Sequence, residues 1–154
     1  MAATRDPRAI VLFLATMFAL AACSERGRDP AVGAWIVRDS GAPFPWHMYV
    51  FNADGTLQQA NPDAGDPKTS DSDGKGVWTS VQGDVRGRWV EIIADRATHR
   101  YAGRTEISFS FKVNGDSFSG TETARGYDAE DRPAFGPTPP APFEGRRVAL
   151  PPAP

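Results

Sequence analysis

The sequence is poor in the residues that bind metals and form disulfides. Its 154 residues include one cysteine and two histidines. A single cysteine excludes an internal disulfide and any zinc or iron–sulfur site built from several cysteines. Two histidines argue against a transition-metal site made of several imidazoles. No cofactor motif is present either, so we predict a protein without metal or cofactor.

The chain also lacks a strong charge of either sign. Lysine and arginine number 17 against 19 aspartate and glutamate residues, and the formal net charge is −2. A field this weak does not attract nucleic acid, so we expect no nucleic-acid partner. The length is that of one domain of ordinary size, and we predict a monomer.

Long apolar stretches are scarce, and the one near the start indicates a targeting signal. Residues 9–22 contain a single polar residue, Thr16, and they follow Arg5 and Arg8. This run is shorter than the roughly 20 residues that a transmembrane helix needs. Its length and the preceding positive charges are typical of a secretory signal.

The apolar run ends in Leu20-Ala21-Ala22-Cys23, which resembles the lipobox of bacterial lipoproteins. The resemblance implies that residues 1–22 are cut off, that the Cys23 thiol carries a diacylglyceryl group, and that residues 23–30 form a tether. Ser24 is not the aspartate that commonly retains lipoproteins at the inner membrane. The resemblance therefore implies a cell-envelope protein, held at the periplasmic face of the outer membrane where the cell has one. An ordinary secretory signal with an incidental cysteine is the alternative.

The rest of the chain shows no sustained helical period of apolar residues. Alternation of apolar and polar residues recurs instead, most clearly over residues 107–113 and 118–124. Between them stands Asn114-Gly115, a strong indication of a β-hairpin. A two-residue turn there would place Phe111 opposite Phe118 on one face.

Two further hairpins are indicated by Asp54-Gly55 and Gln82-Gly83-Asp84. The remaining predicted strands are residues 32–38, 46–51, 56–60, 76–81, 85–94 and 143–149. Residues 61–75 are predicted as a polar loop and residues 128–142 as an extended crossing segment. About eight strands at this spacing are typical of an all-β antiparallel barrel, which would occupy residues 31–150 before a proline-rich tail at 151–154.

Gly33-Ala34-Trp35 in the first strand and Arg146-Arg147 in the last resemble the lipocalin and wider calycin pattern. In that family an arginine from the end of the chain packs across the tryptophan of the first strand. The resemblance implies a calycin-like barrel. Glycine also stands two residues before Trp78 and Trp89, a spacing that we interpret as packing beside large indoles.

Two carboxylates interrupt the apolar faces of the predicted strands. Glu91 shares a face with Trp89, and Glu122 shares one with Phe118. An inward acid is costly unless it is paired. It would form an ion pair with Arg86, Arg88 or Arg104, lie in a polar barrel mouth, or orient a ligand inside a cavity. The residues predicted to bind a small, partly apolar ligand are Trp35, Trp89, Glu91, Phe109, Phe111, Phe118 and Glu122.

Three functions fit these features. The barrel binds a small ligand or acts as an accessory module; it catalyses a proton transfer such as an isomerisation or cyclisation; or its interior is filled and it serves as an envelope scaffold. His47 and Glu91 are the candidate bases of an enzyme, whereas His47 and His99 are otherwise expected at the surface or rim. No nucleophile motif is present, so binding is the favoured prediction and we assign no catalytic residue.

The lipobox resemblance predicts the outcome of one substitution. Cys23→Ser removes the thiol that accepts the lipid, so we expect the protein to leave the membrane fraction or to keep its signal uncleaved. Labelling with a fatty-acid probe, followed by cell fractionation, measures both. Wild-type protein that incorporates no probe would contradict the lipoprotein prediction.

Overall fold

The computed structural model describes residues 29–63 and 65–151, and the regular elements in these ranges are all β-strands. The predicted signal sequence, Cys23 and most of the predicted tether lie outside the described residues. No described element is a helix long and apolar enough to cross a membrane. The strands are β1 Gly33–Asp39, β2 Trp46–Phe51, β3 Thr56–Ala60, β4 Thr69–Asp71, β5 Gly74–Val81, β6 Asp84–Asp95, β7 Tyr101–Asn114, β8 Ser117–Asp128, β9 Pro133–Phe135 and β10 Ala141–Arg147.

The strands form a closed antiparallel ring. Its order is β1-β2-β3-β5-β6-β7-β8-β10, and β10 pairs with β1 to complete the circle. The short strand β4 pairs with β6 beyond the start of β5, and β9 pairs with β8 beyond the start of β10. Eight strands therefore form the wall around the interior, and β4 and β9 only extend it. The predicted eight-stranded calycin-like barrel is confirmed.

The register of the central hairpin differs from the prediction. Phe111 pairs with Gly120 and Phe118 pairs with Val113. The turn residues are Gly115 and Asp116, and Gly115 adopts φ +61°, which suits the first central position of a type II′ turn. The shift is two residues, so every side chain keeps its face. The rings of Phe111 and Phe118 stack as diagonal neighbours, with centroids 4.2 Å apart.

Two segments that were predicted without strands contain them. The polar segment 61–75 holds β4 and the start of β5, and the crossing segment 128–142 holds β9 and the start of β10. Pairing to β6 and β8 uses backbone groups, so these short strands need no apolar side chains. Composition alone did not indicate them.

One end of the barrel is filled by aromatic side chains, and we call it the closed end. Phe118 packs against Trp35 and Phe143 with ring centroids 5.2 and 5.3 Å away. Phe51 lies 5.3 Å from Phe111. All five rings are buried. They seal this end and account for much of the apolar burial that stabilises the fold.

The recurring Gly-x-Trp spacing reflects packing between neighbouring strands. Gly76 pairs with Trp89, and Gly87 pairs with Trp78. A Cβ on Gly76 would lie 2.7 Å from the Cβ of Trp89, and one on Gly87 would lie 3.0 Å from that of Trp78. Each glycine thus makes room for the indole of the adjacent strand.

Arg147 closes over the first-strand tryptophan, as the calycin resemblance predicts. Its guanidinium carbon lies 4.2 Å from the centroid of the Trp35 ring. Its Nη1 donates to the carbonyl of Val32 at 3.0 Å, and its Nε donates to Asp116 at 3.1 Å. The arginine therefore joins the last strand to the segment that leads into β1. The adjacent Arg146 is exposed.

This contact predicts a difference between two neighbouring substitutions. Arg147→Ala removes the cation–π contact and the hydrogen bonds, so we expect the free energy of unfolding to fall by about 1–3 kcal/mol. Arg146→Ala, on the exposed face of the same strand, should change it by less than about 0.5 kcal/mol. Urea unfolding of both variants gives the comparison. Equal losses would contradict the closing role of Arg147.

Candidate functional site

The end of the barrel opposite the aromatic cluster is open and contains a cavity of about 570 Å³, which we call the mouth cavity. It lies where β1 ends, β2 begins, β6 ends and β7 begins. Residues of the β1–β2 loop and the segments before β4 and around β9 form its rim. The lining residues are Asp39, Gly41, Ala42, Pro43, Phe44, His47, Asn61, Asp63, Asp66, Thr69, Asp71, Trp89, Glu91, Ile93, Thr105, Ile107, Glu122, Thr123, Ala124, Phe135, Thr138, Pro139 and Ala141.

The structure divides the predicted ligand residues into two groups. Trp89, Glu91 and Glu122 line the mouth cavity. Trp35, Phe109, Phe111 and Phe118 do not; they are buried in the packed core, because they occupy the deeper and closed-end positions of the inward faces. The barrel is therefore neither hollow nor filled throughout. A ligand role for any of these residues stays a prediction.

Glu122 is the most buried acid of the mouth cavity. Only 8% of it is exposed, and its Oε2 atom accepts no hydrogen bond from an N–H or O–H group of the described residues. Burial, followed by the neighbouring Asp39 carboxylate, raises the pKa of Glu122 to about 9. Near neutral pH Glu122 therefore keeps its proton, and the two carboxyl groups can share it in a hydrogen bond.

Glu91 lies on β6 in the same cavity and is partly buried. Desolvation, followed by the negative charge of Asp71, raises its pKa to about 7, while a hydrogen bond with Thr105 acts in the opposite direction. A carboxyl group with this pKa exists in both protonation states near neutral pH.

The ion pairs considered for these acids do not form. Arg88 donates to Glu106 at 3.0 Å, and Arg104 donates to Glu106 at 3.0 Å and to Asp131. Glu106 has the opposite parity to the inward residues of β7, so these contacts lie outside the barrel. Arg86 is exposed. Among the described residues, neither Glu91 nor Glu122 forms a salt bridge.

His47 is buried rather than at the surface or rim, and its hydrogen bonds fix its tautomer. The Gly74 amide donates to Oε1 of Gln59 at 2.9 Å, which identifies that atom as the carbonyl oxygen. The Gln59 amide nitrogen must then donate to Nδ1 of His47, 2.8 Å away. Burial lowers the pKa of His47, so the neutral ring carries its proton on Nε2. That N–H has no acceptor among the described residues.

Other features complete the site. Trp89 donates from its indole nitrogen to the Tyr49 hydroxyl at 3.0 Å, so a fully buried tyrosine holds this part of the cavity wall in place. His99 is exposed in the turn after β6. No three His, Cys, Asp or Glu residues of the described chain form a group that could hold a metal ion.

Asp39 and Gln59 were not identified from the sequence. Asp39 shares the inward face of β1 with Trp35 and Val37, so the alternation that indicated Glu91 could also have identified it. Gln59 gives a weaker signal, since its role depends on contacts with His47 and Gly74, which lie on other strands.

Comparison of the chain with protein-family models, with curated proteins and with solved structures finds no significant match.

The pKa values of the mouth cavity make the stability of the barrel depend on pH. Glu122 keeps its proton in the folded barrel up to about pH 9, whereas the unfolded chain loses it near the ordinary value of 4.5. Folding therefore takes up a proton, and the free energy of unfolding falls as the pH rises, by at most about 1.4 kcal/mol per pH unit for this group. Glu91 acts in the same direction up to about pH 7. His47 acts in the opposite direction only below its ordinary value of 6.5.

Glu122→Gln tests this assignment, because it keeps the shape and removes the titrating group. We expect wild-type Tm to fall between about pH 7 and pH 9 and the variant to show a shallower decline. Near pH 9 the variant should therefore be more stable than the wild type. Glu144→Gln, on the exposed face of β10, is the matched control and should follow the wild type. A Glu122→Gln profile parallel to the wild type would contradict the buried, protonated carboxyl.

Proposed function

We propose that this protein is a membrane-tethered binding protein whose mouth cavity holds a small, partly apolar molecule. The cavity carries the proposal. Its volume of about 570 Å³ is within the range of ligand sites, and its wall combines apolar side chains with a few polar groups. A barrel filled only by its own side chains would have no such space.

The polar groups of the wall favour a ligand over an empty cavity. Nε2 of His47 and Oε2 of Glu122 are buried, and neither atom forms a hydrogen bond with the described chain. A buried polar group without a partner costs about 1–3 kcal/mol. A ligand that hydrogen-bonds to them would recover part of that cost, while Trp89, Ile93 and Ile107 bury its apolar part.

The proposed anchor suits access to this cavity. Lipidation of Cys23 would place the membrane attachment a few residues before β1. Because β1 begins at the closed end, beside Trp35 and Arg147, the tether would join the barrel there. The mouth cavity would then open at the opposite end, away from the attachment point. In this proposal the lipid holds the barrel at the envelope membrane and leaves the mouth accessible to dissolved ligands.

A proton-transfer enzyme is the second candidate, and the same cavity favours it. A neutral His47 of fixed tautomer and a Glu91 whose pKa lies near 7 are suitable acid and base groups. Binding is the broader proposal, since an enzyme would also have to bind its substrate there. Chemical conversion of a bound ligand, followed by mass spectrometry, distinguishes the two functions.

Adjacent isoleucines on β6 provide the test of binding. Ile93 lines the mouth cavity, whereas Ile92 points outward and is 48% exposed. Ile93→Trp would occupy cavity volume, so we expect it to weaken the binding of any ligand found in a thermal-shift screen by about tenfold or more. Ile92→Trp should leave the affinity unchanged. Titration calorimetry measures both. Equal affinities in the two variants, or a screen without any ligand, would contradict the proposed site.

A further inference from the structure

We propose that the ligand of the mouth cavity is a cation, namely a partly apolar molecule with a protonated amine. The ammonium group would lie between Asp39 and Glu122, with Glu91 on another part of the same cavity wall, and the apolar part would lie against Trp89 and Ile107. This inference rests on the proposed binding function and adds the charge of the ligand to it.

The cavity wall contains acidic side chains but no lysine or arginine. Six lining residues carry a carboxyl group. One of the six, Asp63, is paired with Arg96 at the rim. Asp39, Glu91 and Glu122 form no salt bridge with the described residues. The cation that would balance these acids is thus missing from the wall, and a ligand can supply it.

The burial of Glu122 distinguishes this site from a solvated acidic cluster. More than nine-tenths of the residue is buried, and Oε2 lacks a hydrogen-bond donor. Its position is fixed by the pairing of β8 with β7, where it lies opposite Phe109. An acid held inside a barrel against a second acid, Asp39, is unfavourable in the unliganded protein. An ammonium group between them would take the place of the proton that the two carboxyl groups share, and it would donate hydrogen bonds to both.

An organic ammonium fits this site better than a metal ion does. The described residues contain no set of three ligating side chains close enough for a metal. The wall is also largely apolar, with Ile93, Phe44 and Phe135 among its residues. Metal sites of hard cations are built from many oxygen ligands, whereas an alkyl ammonium needs a few acceptors and an apolar surface.

Proton linkage gives the proposal a second measurable property. Asp39 on β1 and Tyr49 on β2 are the titratable groups that act on Glu122 or are acted on by it. The other titratable groups that line the cavity are His47, Asp63, Asp66, Asp71 and Glu91. The residues paired with Glu122 from β7 and β10 do not titrate. Because the pKa values of Glu91 and Glu122 are raised to about 7 and about 9, binding of a cation releases protons from them. Affinity for an amine should therefore rise between about pH 6 and pH 9, a range in which an alkyl amine stays mostly protonated.

Three molecules that differ only in their head group test the charge. Octylamine, octanol and octanoate share one apolar chain and are titrated calorimetrically into the mature protein near pH 8. We expect octylamine to bind about tenfold or more tightly than octanol, and octanoate to bind weakest. Octanol or octanoate binding as tightly as octylamine would overturn the inference and leave the binding site standing. No binding by octylamine would also overturn the inference. In that case the thermal-shift screen, with Ile93→Trp as the blocked variant, would show separately whether the cavity binds any molecule.

Variants of the acids locate the effect. Asp39→Asn and Glu122→Gln keep the size of each side chain and remove the carboxyl group that can become negatively charged when the ammonium binds. We expect both to lose most of the preference for octylamine over octanol, and urea unfolding shows separately that they fold. Glu144→Gln, on the outer face, should retain the preference. An octylamine preference that persists in the Asp39→Asn, Glu122→Gln double variant, or an affinity that does not rise with pH, would contradict the proposed cation site.

Discussion

Strand β10 lies between β8 and β1 and joins the two ends of the sheet into a ring. Without it, both strands would expose unpaired backbone groups, and the interior would open to solvent. The contact of Arg147 with Trp35 fixes this last strand to the segment before the first. Closure also enforces a single inner face on every strand. The aromatic cluster and the acids of the mouth cavity both depend on the enclosure of that inner face.

The inner face changes character along the barrel axis. Large rings such as Phe111 and Phe118 stack across the closed end and leave no room for a ligand. Further along, Trp89 and Tyr49 form one hydrogen-bonded layer, and beyond them the inward residues are His47, Glu91 and Glu122. Stabilising burial and the candidate site thus occupy opposite ends of the same enclosure, so that a change in the mouth cavity need not disturb the aromatic packing.

Local patterns predicted the fold better than the site. Alternation and turn dipeptides are visible over a few residues, so the hairpins and the barrel class followed from them. The register of the central hairpin did not, because Asn114-Gly115 and Gly115-Asp116 are both plausible turns. A type I′ turn at the first pair needs positive φ at both residues, whereas a type II′ turn at the second needs it at Gly115 alone. The acids Glu91 and Glu122 were predicted from parity alone. The burial of His47 was not, since it arises from Gln59 on another strand and from the β1–β2 loop.

The side chains of the mouth cavity are not those that would give the fold its greatest stability. Replacing buried charged groups by apolar residues of similar size is often neutral or stabilising, and a barrel that served only as a scaffold would gain from such a change. This chain instead places Asp39 beside Glu122 in a wall without lysine or arginine, and leaves polar atoms of His47 and Glu122 without partners. Departures of this kind from a well-packed interior are expected at functional sites, where a ligand completes the missing interactions. The aromatic cluster and the Arg147 contact at the other end supply the stability that makes the departure tolerable.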